Sequence, residues 1–227
     1  MATLIETTDA QVCCDSEWEA AYRRFETPEQ EIRKFVQRLR AFGAETWDRE
    51  KQIVEIFCGR GNGLRALQEF GFERLEGVDL SAKLLEQYDG PAKCYVADCR
   101  KLPFDDCSRD ILIVQGGLHH LPELPGDLQS VLSEVHRVLR PNGQFFVIEP
   151  WKTAFLQTVH FISNRSLMRM MSDKLDAFAT MTEHELETYS QWLSHADTIL
   201  NLLHRYFEPA SQRITWGKLR FAGIRRA

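Results

Sequence analysis

Residues 54–63 read VEIFCGRGNG, an apolar run that leads into three glycines, Gly59, Gly61 and Gly63, and then into a helical pattern. A strand that stops at a bare loop and restarts as a helix brings main-chain N–H groups and a helix N-terminus up to a ligand. The same rhythm then recurs. The β-rich runs IVEIF, LEGVDL, AKCYVAD, DILIVQ and QFFVIE follow one another from residue 53, separated by helical stretches or loops. They are nearly continuous in apolar residues, as strands covered on both faces must be. Alternating β and α units predict an α/β fold with a parallel, doubly wound, Rossmann-like sheet.

Outward from this core, TPEQ at 27–30 carries a helix start, with Thr27 as N-cap, Pro28 at the first helical position and Gln30 closing a capping box. The helix it opens has Ile32, Phe35, Val36 and Leu39 on one face, while residues 1–14 read as a frayed tail. Leu128, Val131, Leu132, Val135, Val138 and Leu139 form an amphipathic helix that RPNG, with Pro141 and Gly143, is expected to end. Past residue 150 the rhythm changes. Residues 151–181 read as a helical segment containing aromatics and Met, where a minimal fold has a short connection. Thr182 and Glu185 are expected to cap one long helix with Leu186, Tyr189, Leu193, Ala196, Leu200, Leu203 and Phe207 along its seam. The tail SQRITWGKLRFAGIRRA reads as two strands joined through Trp216 and Gly217.

Composition narrows the partners. The 227 residues are 44% hydrophobic and 27% charged, with a net charge of −5 and a pI near 5.8, which suits a chain that folds around its own core. That acidity argues against a nucleic-acid partner, because phosphate binding leaves a basic footprint; Arg220, Arg225 and Arg226 are only a small candidate patch. The N-terminus lacks basic residues ahead of an apolar core, and no run is long enough for a membrane span, so a cytoplasmic location is expected. Cys13, Cys14, Cys58, Cys94, Cys99 and Cys107 form no CxxC pair and no Cys/His cluster of zinc spacing, so they read as ordinary thiols and no metal is expected.

The glycines give G-x-G-x-G, whereas the dinucleotide fingerprint needs glycine where Leu64 stands. Asp79 ends the next strand, 20 residues after Gly59, where a carboxylate can accept the hydroxyls of a ribose. The competing reading makes it the N-cap of the helix in SAKLLEQY. Asp98 ends the third strand 19 residues later, placed to accept the exocyclic amine of an adenine with Leu102 on the ring, or to serve a turn. Together these sites fit adenosine bound across the carboxyl edge of the sheet.

With these residues, 51–150 resembles the core of the class I S-adenosylmethionine-dependent methyltransferases, in the type 11, ubiquinone/menaquinone-biosynthesis-like branch. VEIFCGRGNG resembles the first motif with Glu55 as its acid, GVDLS the second, and ADCRKLPFDDCSRDILIVQGGLHHL the third and fourth; EVHRVLRPNGQFFVIEP matches the helix–turn–strand that follows. The resemblance implies S-adenosylmethionine as cofactor with S-adenosylhomocysteine as product, methyl transfer to a small-molecule acceptor, and a seven-stranded sheet with an antiparallel last strand. It implies cofactor contacts from Glu55, Phe57, Gly59, Gly61, Asn62, Asp79, Leu80, Asp98, Cys99 and Gln115. Phe57 departs from the pattern, since the family usually has glycine there; an aromatic at this point packs against the cofactor or supports the loop. No Pro-Cys dipeptide and no Asn/Asp-Pro-Pro-aromatic motif marks a nucleic-acid methyltransferase.

Methyl transfer from a sulfonium is an in-line displacement, so the protein must align donor and acceptor and remove a proton where the acceptor carries one. His119 and His120 follow the fourth strand and are the candidate catalytic bases; loop architecture or a cofactor contact is the competing reading. Glu149, Trp151, His160 and Tyr22 are candidates for the acceptor pocket, and Phe161, Met168, Met170 and Met171 for its apolar wall, whereas His136, His195 and His204 read as structural. Residues 1–227 are expected to form one domain: an N-terminal helical segment at 15–45, a cofactor-binding core at 51–150, a helical lid and long helix at 151–206, and C-terminal strands at 207–227. Residues 151–181, with the segment around Trp18 and Tyr22, are expected to close over the acceptor. The competing readings are a non-catalytic cofactor-binding member, a nucleic-acid methyltransferase and an NAD-type oxidoreductase.

Overall fold

The computed structural model describes residues 3–6, 16–163 and 173–226. Its strands are β1 (Thr3–Glu6), β2 (Ile53–Ile56), β3 (Leu75–Asp79), β4 (Lys93–Val96), β5 (Arg109–Gln115), β6 (Leu139–Pro150), β7 (Phe207–Thr215) and β8 (Lys218–Arg225). They form one sheet in the order β1-β4-β3-β2-β5-β6-β8-β7. All neighbours pair in parallel except β8, which runs antiparallel to both β6 and β7. The seven strands and the antiparallel last one match the sequence expectation. The eighth is a correction: Thr3–Glu6, expected to be frayed, pairs with Lys93–Val96 at the sheet edge.

Alternation along the strands builds two cores. Val54, Ile56, Leu112, Val114, Phe145, Val147, Leu219 and Phe221 face one side, and Ile53, Ile111, Ile113, Phe146 and Ala222 the other. The first face is covered by α5 (Gly126–Val138) and by a helix at Ala196–Tyr206; the second by α2 (Pro28–Ala41) and α3 (Asn62–Glu69). The capping box at Thr27 is present, with Gln30 N–H donating to Thr27 Oγ1 at 3.3 Å and Thr27 N–H to Gln30 Oε1 at 3.2 Å. Trp216 and Gly217, at φ 51° and 73°, make the two-residue turn between β7 and β8, the left-handed pair that matches strand twist.

RPNG turns the chain after α5 as expected: the helix ends at Val138, and although β6 begins at Leu139, Asn142 has φ 64° and the pairing with β5 jumps from Leu139 to Gln144. One boundary differs from expectation. The expected long helix is two, α8 (Leu186–Ser194) and α9 (Ala196–Tyr206), and the helical segment before it holds α6 (Ala154–Ser163) and α7 (Asp173–His184). Thr182 lies inside α7 rather than capping it, Glu185 precedes α8 without a side-chain cap bond, and Phe207 opens β7.

Candidate functional site

The strand order reverses between β2 and β5, and the crevice beyond their carboxyl ends is where open α/β sheets bind ligands. On the β2 side the chain turns through Phe57, Gly59 and Gly61 at φ 55°, 51° and 75°, a left-handed region that glycine enters freely and phenylalanine does not. Gly63, in the first turn of α3, sits directly over Glu55: a Cβ there would lie 1.8 Å from Glu55 Oε1. On the β5 side, Gln115 Nε2 donates to Glu55 Oε1 at 3.3 Å. Glu55 Oε2 and Gln115 Oε1 are both buried acceptors without a hydrogen-bond partner among the described residues. Burial in this setting pushes the Glu55 carboxyl up to about 8. Phe57 supports the loop, its Cβ and ring standing 2.3 Å from where a Gly117 Cβ would be, so the bare backbone at 117 is a consequence of the aromatic at 57.

Asp79 ends β3 beside the loop. Its Oδ2 accepts from Gly59 N–H at 2.7 Å and its Oδ1 from Ser81 N–H at 2.8 Å. Burial raises its pKa and these main-chain donors oppose the rise. The cap of the short helix α4 (Ala82–Leu85) is Ser81, whose Oγ accepts from Leu84 N–H at 3.2 Å, so Asp79 is not spent on capping. Asp98 is tied to its own turn: it accepts from Arg100 N–H at 2.8 Å and pairs with the Arg100 guanidinium at 2.7 Å. Burial alone would raise the Asp98 pKa, but Arg100 outweighs it and the net shift is downward. Cys99 is buried, which pushes its thiol up, and Leu102 is part of the core.

The N-terminal segment reaches this loop. Asn62 Nδ2 donates to Glu31 Oε2 at 2.6 Å in a buried contact, Tyr22 Oη hydrogen-bonds Glu31, and the Arg60 guanidinium lies 5.4 Å from the Tyr22 ring. The helix carrying Tyr22, α1 (Ser16–Phe25), also meets α7, through Arg24–Asp176 at 3.0 Å and the rings of Phe25 and Phe178 at 6.0 Å.

After β5 a single 3₁₀ turn (Leu118–His120) is held from below by Glu149, which is fully buried. Its Oε1 accepts from Gly117 N–H and Leu118 N–H, each at 2.8 Å, and its Oε2 is 2.7 Å from His119 Nδ1. Glu185, from the break between α7 and α8, approaches from the other side, its Oε2 at 3.7 Å from His119 Nε2 and its Oε1 at 3.5 Å from His120 Nδ1. Burial works to lower the His119 pKa, but the two carboxylates outweigh it and hold the group at about 9. Burial and the neighbouring His119 charge drive His120 down to about 4. The two rings are 4.1 Å apart, and the edge of Tyr189 closes over His119 at 5.7 Å.

Comparison with known proteins matches residues 54–147 to a methyltransferase domain family. Three curated relatives align over 95, 109 and 107 residues. They are the arginine-hydroxylase NDUFAF5 of Danio rerio (33% identical, over 40% of this chain and 28% of that one), the sterol 4-C-methyltransferase strm-1 of Caenorhabditis elegans (30%, 44% and 31%) and the 2-phytyl-1,4-naphtoquinone methyltransferase of Nostoc punctiforme (35%, 42% and 45%). The model matched is that of the type 11 methyltransferase domain. The chain spans less than half the length of these relatives. Likeness of fold extends further: the PH0226 protein of Pyrococcus horikoshii superposes with a TM-score of 0.69 at 17% identity, over 94% of this chain and all of that one. An S-adenosylmethionine-dependent methyltransferase of Aquifex aeolicus does so at 0.59 and 12%, over 92% and 98%.

The methyltransferase core brings Glu55, Phe57, Gly59, Gly61, Asn62, Asp79 and Gln115 around one crevice. The structure moves other expected residues elsewhere. Glu149 is a buried support for the 3₁₀ turn rather than a wall of the acceptor pocket, and Trp151 is 5% exposed, packed edge-on against Trp192 in the core. The backbone of His160 is in α6, but its side chain and residues 164–172, with Met168, Met170 and Met171, lie outside what is described, as do Cys13 and Cys14. Sequence reasoning missed Glu31 and Glu185. Glu31 stands one residue after the capping box, on the turn that faces Asn62; Glu185 is separated from His119 by 66 positions and carries no local signal.

Proposed function

We propose that the whole chain, as one domain, is an S-adenosylmethionine-dependent methyltransferase acting on a small organic acceptor. The observation that carries the reading is the pair of buried, unfilled acceptors, Glu55 Oε2 and Gln115 Oε1, at the switch point beneath three loop glycines. Buried polar atoms are almost always hydrogen-bonded, and a cationic donor that ionises Glu55 as it binds completes both. The ammonium of S-adenosylmethionine is such a donor, and Asp79 stands at the neighbouring strand end for the ribose. Asp98, Leu80 and Cys99 follow along the edge for the adenine.

When bound, the cofactor supplies an activated methyl group. This chain then has to orient the acceptor and exclude water. Glu149 fixes the 3₁₀ turn from below, which sets His119 and His120 on the acceptor side of the crevice. A histidine held as a cation has no lone pair for a proton, so of the two only His120 retains the capacity of a base at neutral pH. Helix α1, linked to the glycine loop by Tyr22, Glu31 and Asn62 and to α7 by Arg24–Asp176, forms with α6 and α7 the lid over the acceptor. The quinone and sterol methyltransferases among the relatives favour an apolar acceptor. No helix among the described residues is long and apolar enough to cross a membrane, and we place the protein in the cytoplasm.

The test is methyl transfer from S-adenosylmethionine to a panel of quinols, phenols and sterols, read as methylated product and S-adenosylhomocysteine. A relative named as an arginine-hydroxylase motivates a second reading, hydroxylation of arginine, so a peptide containing arginine belongs in the panel, analysed for added oxygen as well as methyl. Cofactor binding without transfer to any acceptor would leave a binding protein.

A further inference from the structure

The cluster after β5 has the composition of a metal centre. His119, His120 and Glu185 each present one ligand atom, and these atoms all lie within 4.8 Å of one another. We propose that His119 Nε2, His120 Nδ1 and the Glu185 carboxylate bind a divalent cation of the zinc class, with Glu149 orienting His119 from behind.

Four observations carry this. The separations from Glu185 to the two imidazoles, 3.7 and 3.5 Å, are too long for good hydrogen bonds. They involve the two different carboxylate oxygens, and each is close to the ligand–ligand edge, roughly 3.3–3.6 Å, of a tetrahedron whose centre is about 2.0–2.2 Å from its ligands. Glu149 Oε2, at 2.7 Å from Nδ1, fixes the His119 ring with Nε2 toward Glu185, the arrangement by which a carboxylate commonly orients a metal-bound histidine. Glu149 is itself anchored by two main-chain N–H groups, so the support is rigid. Finally, the three side chains are 10–14% exposed, which sets them apart from surface acidic clusters.

Imidazole and carboxylate donors suit zinc and its first-row neighbours rather than magnesium or calcium, which take oxygen. Three protein ligands are one short of a tetrahedral set, the composition that leaves a position for water or for an oxygen or nitrogen of a substrate. Resting on the methyltransferase reading, the cation would polarise the acceptor atom that receives the methyl group, which assigns His120 to coordination instead of proton removal. A proton shared between His119 and Glu185 competes for the same corner, and the experiment separates the two.

Full-length protein, freed of metal by chelation and dialysis, is titrated with Co²⁺ and Zn²⁺ and followed by calorimetry and visible absorption. The expected result is one equivalent per chain, with Co²⁺ d–d bands of a low-coordinate nitrogen/oxygen site and no thiolate charge-transfer band. Glu185→Gln and His120→Gln should each weaken binding at least a hundredfold, and Glu149→Gln by about 10–100-fold. Thermal melts without metal check that the variants fold. The proposal is overturned by absence of stoichiometric binding, by a thiolate signature, or by affinity unchanged in folded Glu185→Gln and His120→Gln. Titration of the same samples with S-adenosylhomocysteine keeps a failed metal site distinct from a failed methyltransferase reading.

Discussion

Glu55→Gln tests the buried carboxyl at the centre of the crevice. Glu55 is 2% exposed, and its pKa in the folded chain is pushed to about 8 by burial, against the ordinary 4.5. Between those values the folded protein keeps a proton that the unfolded chain has lost. A raised folded pKa therefore means that stability falls as pH rises through that window. Each pH unit inside it is worth about 1.4 kcal/mol, so from pH 5.5 to pH 7.5 the wild type should lose about 2–3 kcal/mol at this site. Glutamine keeps the shape and removes the titration. Urea denaturation of both proteins at the two pH values, without cofactor, should show the variant gaining about 2–3 kcal/mol relative to wild type as pH rises. A stability difference that stays constant with pH would refute the reasoning and mean that Glu55 is ionised in the free protein.

Three further outcomes follow from the same geometry. Gly61→Val should abolish cofactor binding and also destabilise the fold, because a Cβ at this left-handed position meets the Tyr88 ring at 2.3 Å; calorimetry with S-adenosylhomocysteine and a thermal melt check both. Phe57→Gly should lose the ring that packs on Gly117 while relieving a left-handed φ, so affinity should fall by less than in Gly61→Val. Amide exchange with and without S-adenosylhomocysteine should show protection rising in residues 16–25 and 173–184 together with residues 57–63; protection confined to the glycine loop and Asp79 would remove the lid.

The core of the fold was legible because its strands are buried on both faces and advertise it as unbroken apolar runs. β1 was not, since a four-residue edge strand with Leu4 and Ile5 at 36% and 37% exposure carries no more pattern than a tail. The break at His195 was invisible because neither Gly nor Pro marks it and the apolar seam of Leu193, Ala196 and Leu200 continues across it. At the site, the loop glycines and the spacing to Asp79 were readable because backbone chemistry forces them. The environment of Glu149 was not, because a carboxylate at a strand end looks the same in sequence whether it faces a ligand or lies beneath a turn. The contacts of Glu31 with Asn62, and of Glu185 with the histidines, arise only when α2 and the α7–α8 break are folded over the sheet edge.

The central claim is that S-adenosylmethionine sits on the glycine loop with its ribose on Asp79. Calorimetric titration of wild type and Asp79→Ala with S-adenosylhomocysteine, and with NAD in parallel, tests it most directly. Hydrogen bonds to a charged group contribute roughly 1.5–3 kcal/mol each, so a folded Asp79→Ala protein should bind S-adenosylhomocysteine at least tenfold more weakly than a wild type that binds one equivalent, and neither should prefer NAD. Wild type that binds no S-adenosylhomocysteine, or a folded variant with unchanged affinity, would contradict the account.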